Sequence, residues 1–155
     1  MPVHDILTIL QNGARARLRS VPLPYTSSSL GLTSILLQHG FIHRATRGTL
    51  ASPADPRAFA AAASSPASRR LWVDLKYSTD DRPVLGHARS VSKPSRRIWL
   101  DARELLRLVT GRRAQFVSPL QLGEIAIEKR GIEEWIEARE AVGRGVGGEV
   151  VARIG

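Results

Sequence analysis

Two short stretches carry residue types and spacings suited to holding phosphate and sugar. Ser92-Lys93-Pro94-Ser95-Arg96-Arg97 places small hydroxyls, a rigid proline and three cations in six positions. Short hydroxylated side chains let one backbone approach another, and the cations neutralise phosphates. The alternative is a solvated basic hairpin. The second stretch, Gly143-Arg144-Gly145-Val146-Gly147-Gly148-Glu149, has four glycines in six positions, from Gly143 to Gly148. Read alone it looks like a phosphate cradle. A dinucleotide fingerprint, however, needs a strand before it and a helix after it within a βαβ unit. Beyond Glu149 the chain has only a short strand-like run, Val150 to Ile154, so a nucleotide-binding enzyme is disfavoured.

The surrounding charge agrees with a polyanionic partner. The formal net charge is +9 and the pI about 11.3, which point to nucleic acid ahead of a membrane. Lysine occurs only at Lys76, Lys93 and Lys129, so arginine supplies nearly all of the charge. Guanidinium forks bind phosphate bidentately and stack on bases. A high-GC genome would explain arginine over lysine, but not the positive excess. Basic residues concentrate at Arg82, Arg89, Lys93, Arg96, Arg97, Arg103, Arg107, Arg112 and Arg113, opposed only by Asp101 and Glu104. A second cluster is Arg15, Arg17 and Arg19.

Other chemistry finds little support. Cysteine is absent, which excludes disulfides and thiolate-bound metals. His4, His39, His43 and His87 are scattered, and no serine sits in a Gly-x-Ser-x-Gly elbow. No catalytic residues, cofactor or metal site are expected. Glu133, Glu134, Glu137 and Glu140 read as a helical acidic run, either a solvated face or a surface for a basic protein neighbour. No run approaches the roughly 20 apolar residues of a membrane span. Met1 to Leu10 lacks the features of a secretory signal.

Around these residues the chain reads as α+β, with helices packed on small, mostly antiparallel sheets. Asp5–Ala16 has the pattern of an amphipathic helix, Val21–Tyr25 is extended, and Thr26–Gly40 is a capped helix. A strand begins at Phe41-Ile42. Residues 48–68 are rich in Ala, Ser and Pro and read as a poorly ordered insertion rather than a loop with a helical tip. Leu71–Tyr77 alternates as a strand with one wet face. Asp80, Asp81 and Pro83 mark a turn between two small domains, 1–79 and 82–155. The first is expected to run α-β-α-β-β. The second is mostly antiparallel β with one or two helices: a strand Val84–Val91, the basic turn, a returning strand Arg97–Leu100, and a helix capped by Asp101 and Glu104 and ended by Gly111. Short strands at Gln115–Val117 and Glu124–Glu128 flank a loop. Ile132, Trp135 and Ile136 then recur at helical spacing.

These residues, in this order, resemble the universal small-subunit ribosomal protein eight family. The resemblance rests on Val91-Ser92-Lys93-Pro94, Arg96-Arg97-Ile98, Gly111, Val117-Ser118, Gly123, Glu137-Ala138-Arg139 and Gly145-Val146-Gly147-Gly148-Glu149-Val150. Upstream, Asp5-Ile6-Leu7-Thr8 with Asn12, Leu37 with Gly40-Phe41-Ile42, and Leu75-Lys76-Tyr77 extend it over nearly the whole chain. The resemblance implies a two-domain protein whose C-terminal domain binds a central-domain helix of small-subunit rRNA through a distorted minor groove and supports subunit assembly. The family's Ser-Thr-Ser-x-Gly loop carries over to Ser118, Gln121 and Gly123, and its tail to Gly147, Gly148 and Glu149. Pro119 and Leu120 replace two of the hydroxyls, and the loop is about one residue longer. With Asn12, Arg15, Arg17, Ser92, Lys93, Pro94, Arg96 and Arg97, these form the expected RNA-binding set.

Residues 48–68 and the lengthened Ile127–Val142 segment resemble the fungal mitochondrial form, which implies the mitochondrial matrix. Partners are then small-subunit rRNA and neighbouring small-subunit ribosomal proteins, without a membrane, the chain being a monomer within the ribosome. The rival readings are a protein-interaction module docking through the acidic helix around Trp135, and an mRNA-binding translational regulator using the same basic surface.

Overall fold

In the computed structural model, which describes residues 2–155, the first apolar stripe forms helix α1 (Val3–Arg15) and buries Ile6, Leu7 and Leu10. Strand β1 (Ser20–Pro24) comes next, its prolines tolerated because it lies at a sheet edge. Helix α2 (Ser27–Gln38) starts where Thr26 Oγ1 accepts from the Ser29 N–H at 3.1 Å, and ends before Gly40, whose φ is +75°. Strand β2 (Ile42–Thr49) leads into the Ala/Ser/Pro-rich segment.

That segment departs from the expected poorly ordered insertion, because it contains a helical tip. Asp55 caps helix α3 (Pro56–Ala61) by accepting from the Arg57 and Ala58 N–H groups. Phe59 fixes it edge-on against Tyr25, ring centroids 4.8 Å apart, beneath the Arg69 guanidinium at 4.5 Å. Strand β3 (Arg69–Leu75) then enters between β1 and β2, antiparallel to both. The order is therefore α-β-α-β-α-β. Leu71, Val73 and Leu75 face the core, while Asp74 on the other face pairs with Arg44.

The chain divides into two compact units, Met1–Gly86 and His87–Gly155. Val84 does not begin a long strand. Its N–H donates to the Lys76 carbonyl at 2.9 Å, so the segment folds back on the end of β3, and pairing resumes where His87 exchanges backbone hydrogen bonds with Gly155, leading into β4 (Ala88–Ser90).

The second unit continues with β5 (Trp99–Leu100), helix α4 (Ala102–Val109), β6 (Ile125–Arg130), β7 (Glu134–Glu137), helix α5 (Ala138–Arg144) and β8 (Gly148–Ile154). The sheet runs β4-β8-β6-β7, with β5 also on β8. Ala88 pairs with Ile154 and Trp99 with Glu149, both antiparallel. The chain thus passes along one edge of β8 twice in the same direction. This corrects the expected hairpin with a returning strand, since β4 and β5 pair with β8 and not with each other.

Two further expectations change. Gln115–Val117 is a tight turn closed between Ala114 and Val117, not a strand. The acidic segment is a hairpin, not a helix through Trp135. Gly131, at φ +64°, turns β6 into β7, and Lys129 pairs with Trp135 across the strands. Glu137 is buried and caps α5, its carboxylate accepting from the Arg139 N–H at 2.8 Å. A cross-strand contact overrides the helical spacing, the Lys129 ammonium lying 5.6 Å from the Trp135 ring.

Helix α4 forms as its sequence implies, with the Asp101–Glu104 capping box closed in both directions. Leu105 and Leu108 on α4, Ala138 and Ala141 on α5, and Ile136 and Val150 on the sheet share one core. Ala138 and Ala141 give α5 a face of small side chains toward that core.

Candidate nucleic-acid interface

The basic turn is an excursion from the β8 edge, and Ser92 is its staple. The Ser92 hydroxyl is buried; it donates to the Val150 carbonyl at 2.6 Å and accepts from the Ile98 N–H at 3.0 Å. Val91 N–H donates to Val151 O, and Val150 N–H to Ile98 O, each at 2.9 Å. In place of the expected phosphate contact, Ser92 bridges the gap between β4 and β5. The loop beyond it is drawn closed by reciprocal Lys93 and Arg96 backbone hydrogen bonds of 2.9 Å, which leaves Lys93, Pro94, Ser95, Arg96 and Arg97 exposed.

Arg97 lies 3.7 Å from Glu149, whose side chain is only 13% exposed. Glu149 faces Trp99 across the ladder, and Trp99 is 56% exposed. An open groove of about 700 Å³ runs beside them, walled by Trp99, Arg103 and Glu104 and by the glycine tail.

The glycines serve the fold before any ligand. A Cβ on Gly147 would collide with the Leu100 carbonyl oxygen, and one on Gly148 would stand 2.9 Å from Arg130 Cγ. Gly148, carried over with the tail as an RNA-binding residue, is itself buried. The requirement for glycine comes from β5 and β6 pressing on the start of β8. Close to Gly148 sits Glu128, fully buried, with neither carboxylate oxygen hydrogen-bonded among the described residues. Burial, reinforced by Glu137 and only partly offset by Arg130, pushes its carboxyl up to about 8.

The loop Ser118–Gly123 is held at the far end of β8 by Arg153. The guanidinium donates to the Ser118 hydroxyl (2.7 Å), the Ser118 carbonyl (2.9 Å) and the Pro119 carbonyl (3.0 Å), and it grips Glu124 bidentately. Glu124 also accepts from the Gln121 N–H, and His87 Nε2 lies 2.9 Å from it. Burial opposes ionisation of Glu124, but these donors, Arg153 first, overcome it and hold the carboxyl at about 2. Leu120 is buried in the core, whereas Gln121, Leu122 and Gly123 are exposed. The apolar substitution at Leu120 therefore exchanges a hydroxyl for an anchor.

Two residues outside every sequence motif belong here. Phe116 is 70% exposed at the tip of the Ala114–Val117 turn, with the Arg96 guanidinium 4.2 Å from its ring centroid. Gln115, in the left-handed region at φ +49°, ties that turn to the Trp99 carbonyl and to Glu104. The one signal the sequence offers is an aromatic directly before Val117-Ser118, in a segment otherwise basic and polar. Lys93, Arg96, Arg103, Arg107, Arg112 and Arg113 pair with no carboxylate among the described residues.

The remaining expected residues lie on the first unit. Asn12 and Arg15 are exposed near the end of α1. Arg17, at φ +56°, is bound to Asp81 at 2.7 Å.

Comparison with known proteins gives a consistent result. Residues 1–154 match the family model described as Ribosomal protein S8. The small ribosomal subunit protein uS8m of Neurospora crassa is 40% identical over 98% of this chain and 96% of its own length. The protein of the same name from Schizosaccharomyces pombe is 36% identical over 99% of both chains. Small ribosomal subunit protein uS8 of the bacterium Acidiphilium cryptum is 29% identical over 99% of this chain and 97% of its own.

Proposed function

The chain belongs to the ribosomal protein S8 family, and we propose that it grips small-subunit rRNA through the unit His87–Gly155. It is a structural constituent of the small subunit of the mitochondrial ribosome, as its fungal relatives are named. It acts as a non-enzymatic monomer within the particle, supporting assembly and translation, with other small-subunit proteins as neighbours.

The observation that carries the reading is the stapled turn: exposed Lys93, Arg96 and Arg97 stand on the same β8 edge as the half-buried Glu149. An A-form minor groove is wide and shallow and displays 2′-hydroxyls, so it is recognised by shape and close backbone approach. The Pro94-Ser95 tip supplies the low profile. Arg97 orients Glu149, which accepts from a base amino group or 2′-hydroxyl, while the unpaired cations take phosphates. Ser118, Gln121 and Gly123 extend the surface along β8, with Arg153 keeping the loop in place. Ser92, Gly147 and Gly148 act as scaffold, and Asn12, Arg15 and Arg17 are secondary contacts.

Each phosphate neutralised releases condensed counterions, so affinity falls with salt. The doubly substituted Lys93→Ala/Arg103→Ala protein, which loses two cations without ion pairs among the described residues, should bind a small-subunit rRNA transcript more weakly. The slope of log affinity against log salt should shrink by about two, roughly one for each lost phosphate contact. Filter binding from low to high salt measures both quantities. A wild-type affinity indifferent to salt would overturn the reading.

A further inference from the structure

We propose that the Arg96–Phe116 pair is a stacking platform for an unpaired nucleobase of the bound RNA, an inference that rests on the rRNA reading above. Phe116 is 70% exposed, yet the turn that carries it is firmly seated. Its flanking residues Ala114 and Val117 are buried at 0% and 5% exposure, and they exchange backbone hydrogen bonds of 3.2 and 2.9 Å. Gln115 adopts the left-handed conformation, and its amide donates to the Trp99 carbonyl at 3.2 Å and to Glu104 at 2.9 Å. A turn pinned on both sides with a large aromatic thrown outward leaves most of a ring in water. Burying that ring in a complex recovers apolar area that the free protein leaves wet.

The neighbouring charge selects the occupant. The Arg96 guanidinium stands 4.2 Å from the ring centroid and pairs with no carboxylate among the described residues. Lys93, Arg112 and Arg113, close in sequence to one or other partner, are likewise exposed cations without ion pairs among the described residues. An apolar protein ligand would have to enter this field, whereas a nucleotide brings its own phosphate to it. Arg96 takes the phosphate or stacks while Phe116 takes the π-face of the base. A base inside a duplex cannot reach such a tip, so the occupant is extruded, at a bulge or an unpaired position. Stacking of this kind tolerates any base and sets geometry rather than sequence.

The test uses the full chain and a small-subunit rRNA transcript. Phe116→Leu removes the aromatic face at an exposed position while keeping an apolar side chain, and Phe116→Trp restores a face. Phe116→Leu should weaken binding by about tenfold, within the range for losing one base stack, at an unchanged salt slope, and Phe116→Trp should bind like the wild type. Ultraviolet cross-linking of the wild-type complex should attach a nucleotide to Phe116. Unaltered affinity of Phe116→Leu, with wild-type binding intact and no adduct at Phe116, overturns the platform but not the rRNA reading. Failure of the wild type to bind the transcript overturns both. Full RNA affinity in Phe116→Leu with lost incorporation into subunits would mean that the tip faces a protein, and would also overturn the platform.

Discussion

Two glutamates on β6 and at its entrance experience opposite fields. Glu124 is surrounded by donors and held at about 2, against an ordinary value of 4.5. Its contribution to stability is present above pH 4.5 and is lost as the pH falls toward 2. Glu128 is buried without a donor among the described residues and pushed up to about 8. Between pH 4.5 and 8 the unfolded chain gives up this proton while the folded one retains it, so stability falls across that window and levels off above it. Glu128→Gln preserves shape and removes the titration. It should raise the melting temperature at pH 8 and flatten the slope between pH 5 and 8, as thermal unfolding across buffers would record. Parallel curves for the variant and the wild type would contradict this assignment. Neither environment is legible in the sequence, because Glu124 and Glu128 acquire their surroundings from Arg153 and Glu137 only after the strands pair.

At the scale of elements, local signals are legible wherever the partners are close in sequence. Asp101 and Glu104 announce a capped helix, Thr26 and Gly40 bound another, and Leu71 to Leu75 alternate as a strand. The failures share one cause. Ile132, Trp135 and Ile136 fit a helical period, but the pairing of Lys129 with Trp135 and the turn at Gly131 override it. Ser92 reads as a ligand because its hydroxyl is visible and its acceptor, Val150, is 58 residues away. The glycine tail likewise reads as a ligand cradle, whereas Gly147 and Gly148 are required by the close approach of neighbouring backbone and side chain. Gly147→Ala should cost roughly 1–3 kcal/mol, since the new methyl meets the Leu100 carbonyl backbone. Gly143→Ala, within α5 and with nothing near its Cβ, should stabilise by about 0.5–1 kcal/mol. Denaturant unfolding of the pair distinguishes a packing role from mere backbone freedom.

For the whole molecule, the excess of arginine over carboxylates is legible as composition, and so is the α+β class. Composition cannot supply the arrangement around β8, which pairs with β4 and β5 on one side and β6 on the other. Those pairings join residues too distant along the chain for any local pattern to report. A protein shortened to residue 147 should therefore lose the ordered second unit and its rRNA affinity while retaining the first. Limited proteolysis should then yield a protected fragment covering residues up to about Gly86. Survival of rRNA binding in the shortened protein would contradict the central place given to β8. The same arrangement imposes a timetable on biogenesis. Every strand that β8 joins is made before it, so the surface proposed to face RNA cannot form in a nascent chain until β8 emerges. An interrupted translation product would then carry a finished first unit without the surface proposed to grip rRNA, so strand order alone would make release of the full chain a precondition for tight binding.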